Sequence, residues 1–226
     1  MKPSDDCRRT ALVVRGGWEG HVPVEATDLF IPGLERDGYR VTVADSLEVY
    51  TDAALLAATD LVLQCWTMGT IASPQIRGLC DAVAAGTGFA GWHGGIVDSF
   101  RSSPEYLQLT GGQFVAHPGG FVDYEVVVAA DRTDHEIVAG IQRFGVRSEQ
   151  YWVLADSAID VLATTTIPAS EETPWRQDIP VPAVWTRQWG QGRVFVTTLG
   201  HQRDVKDLEV TEVRRIVERG MRWATR

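Results

Sequence analysis

Cysteine is scarce in this chain and does not pair. Its 226 residues hold only Cys7, Cys65 and Cys80. An odd count without a C-x-x-C pair excludes a disulfide framework and suits reduced thiols in a cytoplasmic protein. No apolar run approaches the roughly 18 residues of a membrane span. Met1 to Thr10 is polar and charged and lacks the apolar centre of a signal peptide. Basic runs are missing as well. The formal net charge is -9 and the isoelectric point is near 5.0, which speaks against nucleic acid and anionic membrane surfaces as partners. There is no internal repeat, no low-complexity tract and no H-x-x-H or H-E-x-x-H spacing. Gly86-Thr87-Gly88 leads into a strand rather than a helix, so it is not a phosphate-cradling loop and no nucleotide cofactor is expected.

What the chain does have is apolar content, 44%, and 22 Gly, enough for one α/β domain with a real core over residues 1–226. Thr10 to Arg15 reads as a short buried strand, and Tyr39 to Ala44, Asp60 to Trp66 and Gly88 to Gly91 read as the second, third and fourth strands. Between them lie a helix from Pro23 to Gly38 and another from Ser73 to Gly86. Alternation at this spacing implies βαβ units, a parallel sheet and right-handed crossovers, with ligands outside the carboxyl ends of the strands. Beyond residue 100 the pattern shifts. A short helix opens at Ser103-Pro104, strands follow at Phe121 to Ala130, Phe144 to Leu154 and Ile159 to Thr166, and a polar loop runs from Pro168 to Pro180. Pro182 to Trp189 and Arg193 to Leu199 form a hairpin about Gly190-Gln191-Gly192. An amphipathic helix, Leu208 to Ala224, closes the chain.

The centre of the pattern is Gly91-Trp92-His93-Gly94-Gly95. It has the outline of a nucleophile elbow, a strand-to-helix turn that needs small neighbours to lift one side chain above the sheet. His occupies the tip, so acyl transfer by Ser or Cys is excluded and a metal ligand or general base is indicated. His21, His117 and His201 also lie beside glycines at strand ends or turns. Each could simply cap a turn or bond a carbonyl; several meeting would make a site, with His93, His117 and His201 as candidate metal ligands. His135, behind Thr133-Asp134, reads as part of a capped turn. Glu149, ahead of Tyr151-Trp152, is a carboxylate that could ligate a metal or move a proton, or face solvent at a strand edge. Trp18, Trp66 and Trp92 fall just after or at the ends of strands, where flat aromatic faces suit a sugar-sized ligand.

Gly91-Trp92-His93-Gly94, Gly111 to Pro118, Asp134 to Ile137, Glu149-Gln150-Tyr151 and Gly192 to His201 together resemble the trehalose-utilisation (ThuA-like) family. The blocks keep the family's order over nearly the whole chain. The resemblance implies a flavodoxin-like fold similar to class I glutamine amidotransferases, whose elbow Cys is replaced, with extra C-terminal strands. It carries the family's histidines onto His93, His117 and His201, and its acidic-aromatic motif onto Glu149 and Tyr151. His21 sits in the first loop, Gly16 to Val22, which varies in the family. The family's DHP turn reads Asp134-His135-Glu136 here. It implies a role in carbohydrate catabolism beside sugar oxidoreductases that make 3-keto glycosides, but no particular reaction.

The expectation is a sugar-processing enzyme acting on an oxidised glycoside by hydrolysis, elimination or isomerisation. His93, His117, Glu149 and His201 would be catalytic, and Trp18, His21, Trp66, Trp92 and Tyr151 would bind substrate. The cofactor would be a divalent ion, Zn or Mn, and the partners a small carbohydrate, a sugar oxidoreductase and a second copy of the chain. The alternative is a non-catalytic sugar-binding or regulatory module on a fold that lost its nucleophile.

Overall fold

Apolar side chains on alternate residues of the first strand face two separate cores, and that alternation sets the architecture. The computed structural model describes residues 8–204 and 206–226; Cys7 lies outside them. β1 (Thr10–Gly17) sends Ala11 and Val13 to one side and Leu12 and Val14 to the other. The first side is covered by α1 (Pro23–Asp28) and α2 (Ile31–Arg36), the second by α3 (Ala53–Ala57) and α4 (Ser73–Ala84). β2 (Arg40–Ala44), β3 (Leu61–Thr67) and β4 (Gly88–Trp92) complete the first half. α5 (Gly94–Val97), α6 (Pro104–Thr110), β5 (Gly112–Ala116), β6 (Phe121–Val128), β7 (Arg143–Glu149), β8 (Trp152–Ala155), β9 (Asp160–Ile167), β10 (Ile179–Trp189), β11 (Gly192–Thr197) and α7 (Thr211–Ala224) follow.

Among the described residues, the main sheet has nine strands in the order β2-β1-β3-β4-β11-β10-β9-β6-β7. Its first five are parallel, which is the flavodoxin-like order with β11 as fifth strand. The remaining four are antiparallel. A separate ribbon pairs β5 with β8. Everything from β5 to β10 is thus inserted between the fourth and fifth parallel strands, and α7 returns over β4 and β11.

Two expected elements divide. The helix from Pro23 to Gly38 breaks at Leu29-Phe30, because Pro32 has no N–H to donate and its ring meets the carbonyl four residues back. The strand from Phe144 to Leu154 splits into β7 and β8, which belong to different sheets. The side chain of Gln150 turns inward to Thr165 and Thr166, and Tyr151 is buried between the two pieces.

Candidate active site

Four strand ends place four side chains around one point. Past β1, the chain forms a 3-10 turn, Glu19–His21, with His21 at its end. The tip of β4 delivers His93, β11 leads through Gly200 to His201, and β7 ends at Glu149. His93 has φ 48° and ψ −144°, a left-handed conformation rare for a residue with Cβ and a sign of a functionally constrained turn. Its neighbours are small for steric reasons. A Cβ on Gly91 would lie 2.7 Å from the Gln64 carbonyl oxygen, and one on Gly94 would lie 2.5 Å from the His21 ring.

One ligand atom from each of His21, His93, Glu149 and His201 falls within 4.8 Å of the others. The three imidazoles form a near-regular triangle, with centroid separations of 4.7, 5.1 and 5.2 Å. All three are buried, and the Glu149 side chain is 15% exposed. His93 Nδ1 lies 2.8 Å from the Thr198 carbonyl oxygen. That oxygen only accepts, so Nδ1 carries the proton and the Nε2 lone pair points into the cluster. Nε2 sits 3.2 Å from Glu149 Oε2 and 3.0 Å from the Tyr151 hydroxyl. A bare lone pair facing a carboxylate is unfavourable, so either a second proton on Nε2, donated to Glu149, or a metal cation belongs between them. Three imidazole nitrogens and one carboxylate oxygen form a donor set that suits a divalent ion of the Zn or Mn type. The His93 Nε2–Glu149 Oε2 distance of 3.2 Å is close to the roughly 3.4 Å edge of a tetrahedron with 2.1 Å bonds, and any pair nearer the 4.8 Å limit would draw inward around an ion. Thr67 Oγ1 holds His21 Nδ1 at 3.0 Å, and His21 Nε2 lies 4.0 Å from Glu149 Oε2.

Electrostatics agrees with ligation. Burial, reinforced by His93 and His201, lowers the His21 pKa to about 3, keeping this imidazole neutral at pH 7. Burial alone would raise the Glu149 pKa, but the His93 hydrogen bond and the surrounding His charges outweigh it and bring the carboxyl down to about 2. Burial, followed by the Glu149 charge, holds Tyr151 protonated. Behind the cluster, burial lifts Asp207 to about 6. Asp207 Oδ2 accepts from Gly200 N–H at 3.1 Å, while its buried Oδ1 has no partner among the described residues.

The expected residues distribute unevenly. His93, His201 and Glu149 converge, and His21, expected to bind substrate, stands with them. His117 does not take the third position. Its side chain is 41% exposed and its Nε2 lies 3.8 Å from Glu149 Oε1, at the mouth. Trp18 is half exposed and meets His21 edge-on, with ring centroids 4.9 Å apart. Trp92 must be corrected. β4 runs one residue further than expected, so Trp92 points into the core against Phe30 and is 2% exposed. Trp66 lies within β3, its ring packed beneath Gly16 and Gly69. Tyr151 is also buried, stacked on His93 at 4.3 Å. Cys65 is buried under Gly95, and burial pushes its thiol up to about 12, which removes it as a nucleophile. Thr67, the Thr198 carbonyl and Asp207 support the site without a local sequence signal. Only the placement of Asp207 six residues past His201 hints at its position.

Fold and site together define an α/β protein of the class I glutamine amidotransferase-like type, with a histidine-bearing elbow where the nucleophile would stand. The family profile described as ThuA, trehalose utilisation, matches residues 10–224, and the chain belongs to this family. A ThuA-like protein from Parabacteroides merdae superposes with TM-score 0.74 at 18% identity, covering 96% of this chain and 90% of that one. One from Bacteroides uniformis gives 0.73 at 16%, covering 99% and 94%. A cytoplasmic protein of Salmonella typhimurium gives 0.66 at 14%, covering 96% and 100%. These likenesses establish the fold. The search of curated proteins finds no match. No helix among the described residues is long and apolar enough to cross a membrane.

Proposed function

We propose that this protein processes an oxidised glycoside, a sugar bearing a ketone at C3, by proton abstraction followed by elimination or isomerisation. The observation that carries the reading is the convergence of His21, His93, Glu149 and His201 at the tip of the parallel sheet. These four would hold a divalent ion; when bound, it supplies Lewis-acid polarisation of the C3 carbonyl. His117 stands at the mouth, outside the ligating set and beside Glu149, where an accessible imidazole can take the acidified C2 proton. The electron pair left at C2 forms the C2–C1 double bond as the C1–O bond breaks. The departing oxygen takes up the proton that His117 removed from C2, which restores the base, and no net oxidation occurs. The Tyr151 hydroxyl, buried and protonated 3.0 Å from His93 Nε2, donates toward oxygen at the same point. Trp18 offers an exposed ring at the rim for the apolar face of a pyranose. Such a substrate is the product class of a sugar oxidoreductase, which places that enzyme upstream.

The test compares three proteins loaded with Zn²⁺ or Mn²⁺ against a panel of 3-keto glycosides. Wild type turns over at least one member. His93→Ala loses metal by elemental analysis. His117→Ala keeps metal, while its kcat falls about 100-fold, within the usual range for a lost general base. Wild type that binds no divalent ion, or consumes no keto glycoside, overturns the proposal and leaves the sugar-binding module standing.

A further inference from the structure

Among the described residues, two carboxylates are almost wholly buried, Asp98 and Asp207, each 2% exposed. Asp98 has its counter-ion, because both of its oxygens pair with the Arg101 guanidinium. Asp207 has none. It opens the 3-10 turn Asp207–Glu209, which packs against β7, and the adjacent Lys206 turns to Glu209 instead. Asp207 Oδ2 accepts from the Gly200 N–H, and the buried Oδ1 has no partner among the described residues. A buried charge without a counter-ion destabilises a fold, so one that is kept calls for a reason.

Its position supplies the reason. Gly200 directly precedes His201, and its φ of 113° favours glycine. A Cβ there would also lie 2.7 Å from the Trp92 ring. By holding the Gly200 N–H, Asp207 grips the turn that aims His201. Apart from burial, the group that acts most on its charge is His93, followed by the Gly200 N–H and Ser148, while Glu149 opposes it. The carboxylate therefore stands behind the cluster, within electrostatic reach of two of its members. The charge count then gives it a task. Ligating imidazoles are neutral, so His21, His93, His201 and Glu149 together carry one negative charge. A divalent ion among them would leave one positive charge in a largely buried site. A second carboxylate behind the ligands brings the sum to zero.

We infer that Asp207 is a positioning residue for the His–Glu cluster: one oxygen fixes the Gly200–His201 turn, and its charge balances the divalent ion held there. This rests on the reading that the cluster holds such an ion. The fold thus gives up stability at Asp207 to gain affinity at the cluster, and the two properties should separate on removal of the charge.

Asp207→Asn tests it, because the amide oxygen can still accept from Gly200 while the charge is gone. Zn²⁺ and Mn²⁺ are titrated into metal-stripped protein against a chelating dye at pH 7.5, above the Asp207 pKa of about 6. Thermal melts are recorded on the same chelator-treated samples. The variant should bind at least one ion about tenfold more weakly than wild type, as is usual for a lost outer-shell partner. Its melting midpoint should equal or exceed that of wild type, which a merely structural role would not produce. Asp207→Ser, smaller and also uncharged, should show the same loss of affinity and serves if the Asn variant does not fold. Uncharged variants that bind both ions as tightly as wild type overturn the assignment and leave the metal reading intact. Affinity that falls only together with the melting midpoint also overturns it, since Asp207 would then act through folding alone. Wild type that binds neither ion overturns the metal reading, and the role of Asp207 falls with it.

Discussion

His93 occupies its unusual backbone conformation because the residues around it are too small to object. Backbone strain of this kind costs on the order of 1–3 kcal/mol and survives only where packing on all sides holds it. Gly94 is the tightest of these contacts, since any Cβ there would strike the His21 ring at 2.5 Å. Gly94→Ala should therefore push His21 out of the cluster. The expected outcome is at least a tenfold loss of Zn²⁺ affinity, read by competition with a chelating dye, with the far-ultraviolet circular dichroism unchanged. The nearby thiol invites a different test. With Cys65 lifted to about 12 by burial, the thiolate fraction at pH 8 is on the order of 10⁻⁴. Iodoacetamide should leave Cys65 unmodified in the native protein and label it after denaturation, as intact-mass and peptide spectrometry would show. Modification of Cys65 in the native state at the rate of a free thiol would contradict its burial.

Elements were legible where periodicity and punctuation agreed. The four N-terminal strands and α4 could be read directly, because short runs rich in apolar residues alternate with helical patterns and Ser73-Pro74 opens the helix. Legibility failed where tertiary partners decide. Pro32 divides a helical pattern that is otherwise continuous. At Glu149-Gln150-Tyr151 an unbroken β-like run changes sheets, since two inward polar bonds of Gln150 outweigh ladder pairing. The site was half legible for the same reason. The elbow announces itself by its glycines, but whether His21 or His117 joins it depends on a Thr67 contact from another strand. Asp207, at the start of the 3-10 turn Asp207–Glu209 that precedes α7, shows how such partners act on stability. A carboxyl whose folded pKa is raised from 3.8 to about 6 resists ionisation in the fold. Its stabilising contribution is full at low pH and falls as pH rises from about 4 through 6. The shift corresponds to at most about 3 kcal/mol. Asp207→Asn keeps the acceptor for Gly200 N–H and cannot ionise. In chelator-treated protein, urea midpoints of the variant should match wild type near pH 4 and exceed it near pH 7. A gap that closes with rising pH would refute the assignment.

At the scale of the whole molecule, the parallel sheet is completed by a strand that arrives roughly a hundred residues after its neighbour. β4 ends at Trp92, and β11 does not pair with it until Val194–Thr197. Until then the site has His93 but lacks both His201 and the Thr198 carbonyl that orients His93. α7 locks this late closure. Val213, Ile216, Val217 and Met221 are all buried under β4 and β11, a gross apolar contribution of about 6–12 kcal/mol. That is comparable to the entire stability of an ordinary domain, about 5–15 kcal/mol. Close approach is built in on both sides, because a Cβ on Gly220 would lie 2.4 Å from the Phe195 ring and one on Gly88 2.2 Å from the Ala224 carbonyl oxygen. The chain end adds polar anchors: Tyr39 Oη lies 2.7 Å from Thr225 Oγ1, and Arg226 pairs with Asp60 just ahead of β3. Truncation after residue 209 should therefore abolish cooperative unfolding and metal binding together. The single substitution Gly220→Val should lower stability by a smaller amount and leave metal binding intact. It forces a branched side chain into Phe195, and overpacking of this kind costs about 1–3 kcal/mol, so the thermal midpoint should fall by several degrees while the metal-to-protein ratio at 20 °C stays at the wild-type value. A truncated chain that still melts cooperatively and binds metal would mean that the ends of β1, β4, β7 and β11 assemble the site without the closing helix.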